Sequence, residues 1–136
     1  MKFGRAMTVL ALLAIGAALG ATTQAARAAG DPAKGAQVFR QCMPCHRIGP
    51  GAQNLVGPEL NGLDGRKTGS APAYNYSAAN KNSGIVWSKD EFEKYIQDPR
   101  KVIPGTKMFF AGIKRKSDIE DLWAYLAQFK ADGSKK

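Results

Sequence analysis

Cys42-Met43-Pro44-Cys45-His46 holds both cysteines of the chain and its single histidine within five residues. The spacing is that of a c-type haem attachment site. Two thiols three positions apart can each add across a vinyl group on the same edge of one porphyrin, and the histidine that follows is placed where an imidazole nitrogen can ligate the iron. Two other chemistries compete for the pattern. A structural zinc site usually takes four Cys/His ligands, and this chain supplies three, all in one short segment. A redox dithiol is usually set in a β-α-β pattern, which the periodicity does not show. Haem attachment is the reading carried forward.

The 136 residues allow one small domain, less whatever maturation removes. Lys2 and Arg5 make a basic start, Val9 to Leu19 is uncharged and apolar, and Ala26-Arg27-Ala28 fits the small-x-small cleavage rule. A secretory leader over 1–28 is expected, ahead of a mature domain over 29–136; cleavage after Ala25 or Ala26 is an alternative. An uncleaved anchor is the competing reading, but the run falls short of the roughly twenty residues a span needs. Export, to the periplasm of a bacterium, also fits the cysteines, because haem attachment proceeds outside the cytosol, with a Cys42–Cys45 disulfide as an intermediate. Losing Lys2, Arg5 and Arg27 takes the formal charge from +9 to +6. Two haem propionates would lower it to about +4.

Asp31 is an N-cap with Pro32 at the first helical position, which predicts a helix over 32–43. Gly35 inside it costs on the order of 1 kcal/mol relative to Ala and implies a close approach by another helix. Residues 47–84 are rich in Gly, Pro, Asn and Ser without sustained period. So long an irregular stretch implies that a buried cofactor supplies the core. Ser88 with Glu91 predicts a capped helix that Pro99 ends. Ser117 with Glu120 predicts a last helix over 118–131, with Ile119, Leu122, Trp123, Leu126 and Phe129 on one face, Asp118 in the first turn and Lys130 in the last. The tail from Asp132 is expected to fray. No segment alternates as a strand, and no phosphate loop or Ser/His/Asp set is present. The fold class is all-α, with about four to five helices and long loops wrapped around one haem.

A second axial ligand has few sources. Met1 and Met7 leave with the leader and Met43 lies between the cysteines, so Met108 remains by elimination. Pro104-Gly105 before it allows a tight turn that presents a side chain inward. A gap-filling core methionine beside a five-coordinate haem is the alternative.

Nearly the whole mature chain resembles class I cytochromes c of the bacterial c2/c550 type, close to the mitochondrial form. The matching stretches are the pentapeptide, Val56 to Leu63, Gly65 to Gly69, Ala79 to Ile85 with Trp87, Pro104 to Met108, and Asp118 to Leu126. The resemblance implies that the Pro58 carbonyl accepts a hydrogen bond from His46. It implies that Tyr76 and Trp87 bond a haem propionate with Arg66 nearby, and that Tyr95, Thr106 and Asn80 line the methionine side. A buried indole wants an acceptor in any case. Gly35 and Phe39 would pack near Leu122 and Tyr125. The segment between Gly35 and Cys42 is a residue shorter than in mitochondrial relatives, and the loop from Arg47 to Val56 lacks their lysines.

A closed His46/Met108 site leaves no position for substrate, which excludes an enzyme and leaves one-electron cycling at a high potential. Arg100, Lys101, Lys107, Lys114, Arg115 and Lys116 surround Met108 in sequence. A solvated face or nucleic-acid binding would also use such charge, but no recognition motif accompanies it. The expected role is a soluble, monomeric periplasmic shuttle, docking transiently through these cations between a quinol-oxidising complex and an oxidase, reductase or photosynthetic reaction centre. The runner-up is a gas-binding or catalytic five-coordinate haem protein; a third reading tethers the same shuttle to a membrane.

Overall fold

The computed structural model describes residues 29–136, so the expected leader over 1–28 lies outside the described residues. Helix α1, Pro32–Phe39, starts where the Asp31 carboxylate accepts from the amides of Ala33 and Lys34. It is four residues shorter than the expected 32–43. From Arg40 to Met43 each amide reaches back three residues, to Gln37, Val38, Phe39 and Arg40. The helix therefore tightens into a 3₁₀-like turn. The amides of Cys45 and His46 both return to the Cys42 carbonyl, which closes the pentapeptide into a knot of backbone bonds.

Four further helices follow: α2 at Ala78–Asn82, α3 at Lys89–Gln97, α4 at Pro99–Val102 and α5 at Lys116–Leu126. The two short ones escaped the periodicity reading. Ser77 caps α2 through the Asn80 amide, and Asp98 ends α3 while capping α4 through the Lys101 amide. Pro99 thus starts a helix as well as following one. Ser88 caps α3 through the Glu91 amide, while Glu91 Oε1 pairs with Lys94 at 2.8 Å. Among the described residues no strand forms; two isolated bridges join Lys67 to Val86 and Phe129 to Lys135.

The last helix differs from its expected bounds at both ends. The Ile113 amide donates to Ile96 at 2.9 Å, and Gly112 lies so close to α3 that a Cβ there would stand 2.0 Å from the Gln97 carbonyl oxygen. With the chain pinned there, α5 begins at Lys116 with Arg115 as N-cap, and Ser117 falls inside the helix. The expected Ser117 cap is not used; Arg115 instead pairs with Asp118 at 2.7 Å. Beyond Leu126 the chain turns back at Gly133, so Lys130 lies past the helix. The tail does not fray. Lys130 N–H donates to Ser134 and Lys136 N–H to Gln128, each at 2.8 Å.

α1 packs on α5 as Gly35 foretells. A Cβ at Gly35 would lie 1.9 Å from the Asp121 carbonyl oxygen, and the Phe39 and Tyr125 rings meet at 5.4 Å. Leu122 and Leu126 are fully buried in a cluster with Phe39, Leu63, Phe92 and Ile96. Each such side chain contributes about 2 kcal/mol by leaving water. Among the described residues no helix is long and apolar enough to cross a membrane.

Candidate haem site

The open side of this core faces a cavity of about 300 Å³. All eleven residues assigned to the site from sequence line it: Cys42, Cys45, His46, Pro58, Arg66, Tyr76, Asn80, Trp87, Tyr95, Thr106 and Met108. They span residues 42 to 108. The turn after α1 brings the thiols and imidazole, the 47–77 loop brings Pro58, Arg66 and Tyr76, and the segment after α4 brings Met108.

His46 is buried, and its Nδ1 donates to the Pro58 carbonyl at 2.7 Å. That bond leaves Nε2 as the ring nitrogen free of the proton. Burial lowers the imidazole pKa most; the Pro58 bond opposes this and the positive field of Arg66 adds to it. The ring is therefore kept neutral, the form that ligates metals. Gly57 lies flush against its face, where a Cβ would stand 2.3 Å from Cε1. No disulfide joins Cys42 to Cys45. Burial, and then the neighbouring Cys45, push the Cys42 thiol up to about 11.

Opposite elements hold Met108 through a ring of polar contacts. The Met108 amide donates to Thr106 Oγ1 at 3.3 Å, Thr106 and the Tyr95 hydroxyl meet at 3.3 Å, and Tyr95 donates to Met108 Sδ at 3.5 Å. With Thr106 donating to the phenol oxygen, every proton in the ring has an acceptor. Burial raises the Tyr95 pKa, so its proton stays in place. Trp87 packs edge-on against Tyr95 at 5.0 Å, and the Asn80 Oδ1 accepts from Ser77 at 2.8 Å.

Other residues that shape the site gave no signal in the sequence. Thr68 lines the cavity, is 4% exposed, and its hydroxyl has no partner among the described residues. A buried hydroxyl left so costs on the order of 1–3 kcal/mol unless a ligand answers it. Glu59 pairs with Arg66 at 2.8 Å; a carboxylate in a loop without period cannot be matched to its partner by spacing. Tyr74 donates to the Val56 carbonyl at 2.6 Å, and both residues line the cavity. The apolar lining, the orphan hydroxyl and the cradle at Gly57 fit a flat apolar macrocycle carrying carboxylates.

The cations expected to dock partners are partly engaged. Arg115 and Lys116 pair with Asp118 and Glu120 on their own helix. Lys107 Nζ donates to the Asn75 carbonyl at 2.8 Å and Lys114 Nζ to that of Gln97. Arg100 and Lys101 stand exposed on α4.

Residues 32–130 match the family model described as Cytochrome c. The chain is 58% identical over 116 residues to cytochrome c2 of Blastochloris viridis, covering 85% of this chain and 91% of that one. It is 58% identical over 101 residues to cytochrome c-550 of Bradyrhizobium diazoefficiens, covering 74% of each. Among solved structures, cytochrome c2 from Rhodospirillum centenum superposes with a TM-score of 0.70 at 42% identity, over 74% of this chain and 99% of that one.

Proposed function

The chain belongs to the cytochrome c family, as an electron-transport protein of the bacterial c2 type with one covalent haem c, and on that premise we propose that it is a periplasmic one-electron shuttle with a His46/Met108-ligated iron. The observation that carries this reading is that both thiols, the imidazole and the only methionine outside the leader and the attachment turn line one cavity. Cys42 and Cys45 would hold the haem covalently, and His46 Nε2 and Met108 Sδ would ligate its iron. When bound, the haem supplies reversible ferric–ferrous cycling.

The chain's own residues then limit what that cycling can do. The Pro58 bond fixes the imidazole and raises its donor strength. The Tyr95 bond takes one lone pair of Sδ and leaves the other. Thr68, Tyr76 and Trp87 offer polar groups to haem carboxylates. With His46 and Met108 both holding the iron, substrate would find no open ligand position, which is the reading of a carrier rather than an enzyme. Val56 and Phe109, 74% and 86% exposed, also line the cavity and give its mouth an apolar contact. Beside Lys107, and with Arg100 and Lys101 on the surface, that contact suits brief docking to acidic redox partners such as a quinol-oxidising complex and its terminal acceptors.

The test is the ferric absorbance band of iron–sulfur ligation near the red edge of the spectrum. It is expected in the wild type and lost in Met108→Ala. Its absence from the wild type, with rapid carbon monoxide binding by the ferrous protein, would establish the five-coordinate alternative. Electron-transfer rates to an acidic partner should fall as salt rises; a flat salt series removes the steering role.

A further inference from the structure

Among the described residues, the charged side chains that line the cavity are Arg66 and Lys107, both cationic. Among the described residues no carboxylate reaches the lining. Glu59 stands behind Arg66, and the two side chains are each 15% exposed. Arg66 Nη1 donates to Glu59 Oε1 at 2.8 Å and to the Asn61 carbonyl at 2.9 Å, while Nη2 donates to the Glu59 carbonyl at 2.8 Å. The carboxylate is held in turn. Its Oε2 accepts from the Asn61 amide at 2.6 Å, and the Glu59 amide donates to Asn54 Oδ1 at 2.9 Å. Glu59 also follows Pro58, whose carbonyl holds His46. The pair is thus a fixed charge couple built into the same loop that orients the imidazole.

We propose that Glu59 is a positioning residue that sets the electrostatic field of the haem site by neutralising Arg66, and so lowers the midpoint potential of the protein. A guanidinium alone at the edge of a poorly solvated cavity disfavours the extra positive charge of the ferric state. A carboxylate locked against it cancels most of that field. Because both partners are shielded from solvent, ions in the buffer screen them little.

The experiment is a spectroelectrochemical titration of the holoprotein with Glu59→Gln, Arg66→Gln and the double variant, each paired with thermal denaturation. Glutamine at 59 keeps the size and an acceptor for Arg66 while removing the charge. Glu59→Gln is expected to shift the midpoint potential upward, Arg66→Gln downward, and the double variant back toward the wild type. A fall or no change in Glu59→Gln overturns the proposal, as does a rise or no change in Arg66→Gln, so either variant that carries haem decides it. A purely structural pair would lower the melting temperature and leave every potential in place, which also overturns it. The inference rests on the electron-carrier reading. A wild type without a reversible one-electron couple defeats that reading, whereas a wild-type couple that Glu59→Gln does not move defeats this one.

Discussion

The α1–α5 junction and the 47–77 loop meet the same demand, burial of backbone, by opposite means. At the junction each helix satisfies its own peptide groups, and contact is a matter of shape: Gly35 against the Asp121 carbonyl, Phe39 against Tyr125. In the loop no such repeat exists, and side chains take over the pairing. Asn61 accepts from the Gly49 amide at 2.8 Å and donates to the Gly49 carbonyl at 3.0 Å, imitating a neighbouring strand. Asn54 Nδ2 donates to the Pro72 carbonyl at 2.8 Å. The junction carries its own core, while the loop lines a cavity and depends on what fills it. The junction resists added volume at Gly35, and the loop resists the loss of polar side chains such as Asn61.

Removing the covalent link should divide the two regions most sharply. In Cys42→Ser/Cys45→Ser the loop loses its filler, and cooperative folding is expected to be lost, read as a haem-free mass and a circular dichroism spectrum without a sharp thermal transition. A cooperative melt in that variant would show that the junction suffices. Next in size is Gly35→Val, which forces carbon into a backbone and should cost about 3 kcal/mol in denaturant unfolding, at the upper end for overpacking. Asn61→Ala adds no volume but strands the buried Gly49 amide, while the Gly49 carbonyl keeps the Ala52 amide, for an expected loss of about 2 kcal/mol. Smallest is Asp31→Ala, which uncaps α1 for about 1 kcal/mol. If Asn61→Ala proved cheaper than Asp31→Ala, water would be reaching the loop and the contrast would weaken.

How much of this was legible in the sequence follows the same division. Spacing named the attachment turn, Gly35 named the helix contact, and elimination singled out Met108, which lines the cavity, because each depends on residues close in sequence or few in kind. The start of α5 was misread by two residues because Ile113 and Gly112 are pinned by α3, a tertiary contact that overrides the Ser117 cap. Asp98-Pro99 read as a stop because the same dipeptide that ends one helix opens the next. Thr68 and Glu59 stayed silent since a loop has no period to betray which side chains turn inward. The tail reads as a loose end because its bridge partner, Phe129, reads as a core residue of the helix before it.

The Asp31 amide donates to Asp121 Oδ1 at 2.7 Å, across ninety positions of chain. In terms of connectivity, the two ends of the domain are clasped and everything between them is one closed circuit. Closure entropy grows only logarithmically, so a circuit of this length costs about 0.6 kcal/mol more than one half as long. Residues can therefore be inserted in the exposed turn at Gly51, where nothing crowds the backbone, without loosening the clasp, and a permuted chain opened there would keep the helix pair as a continuous unit.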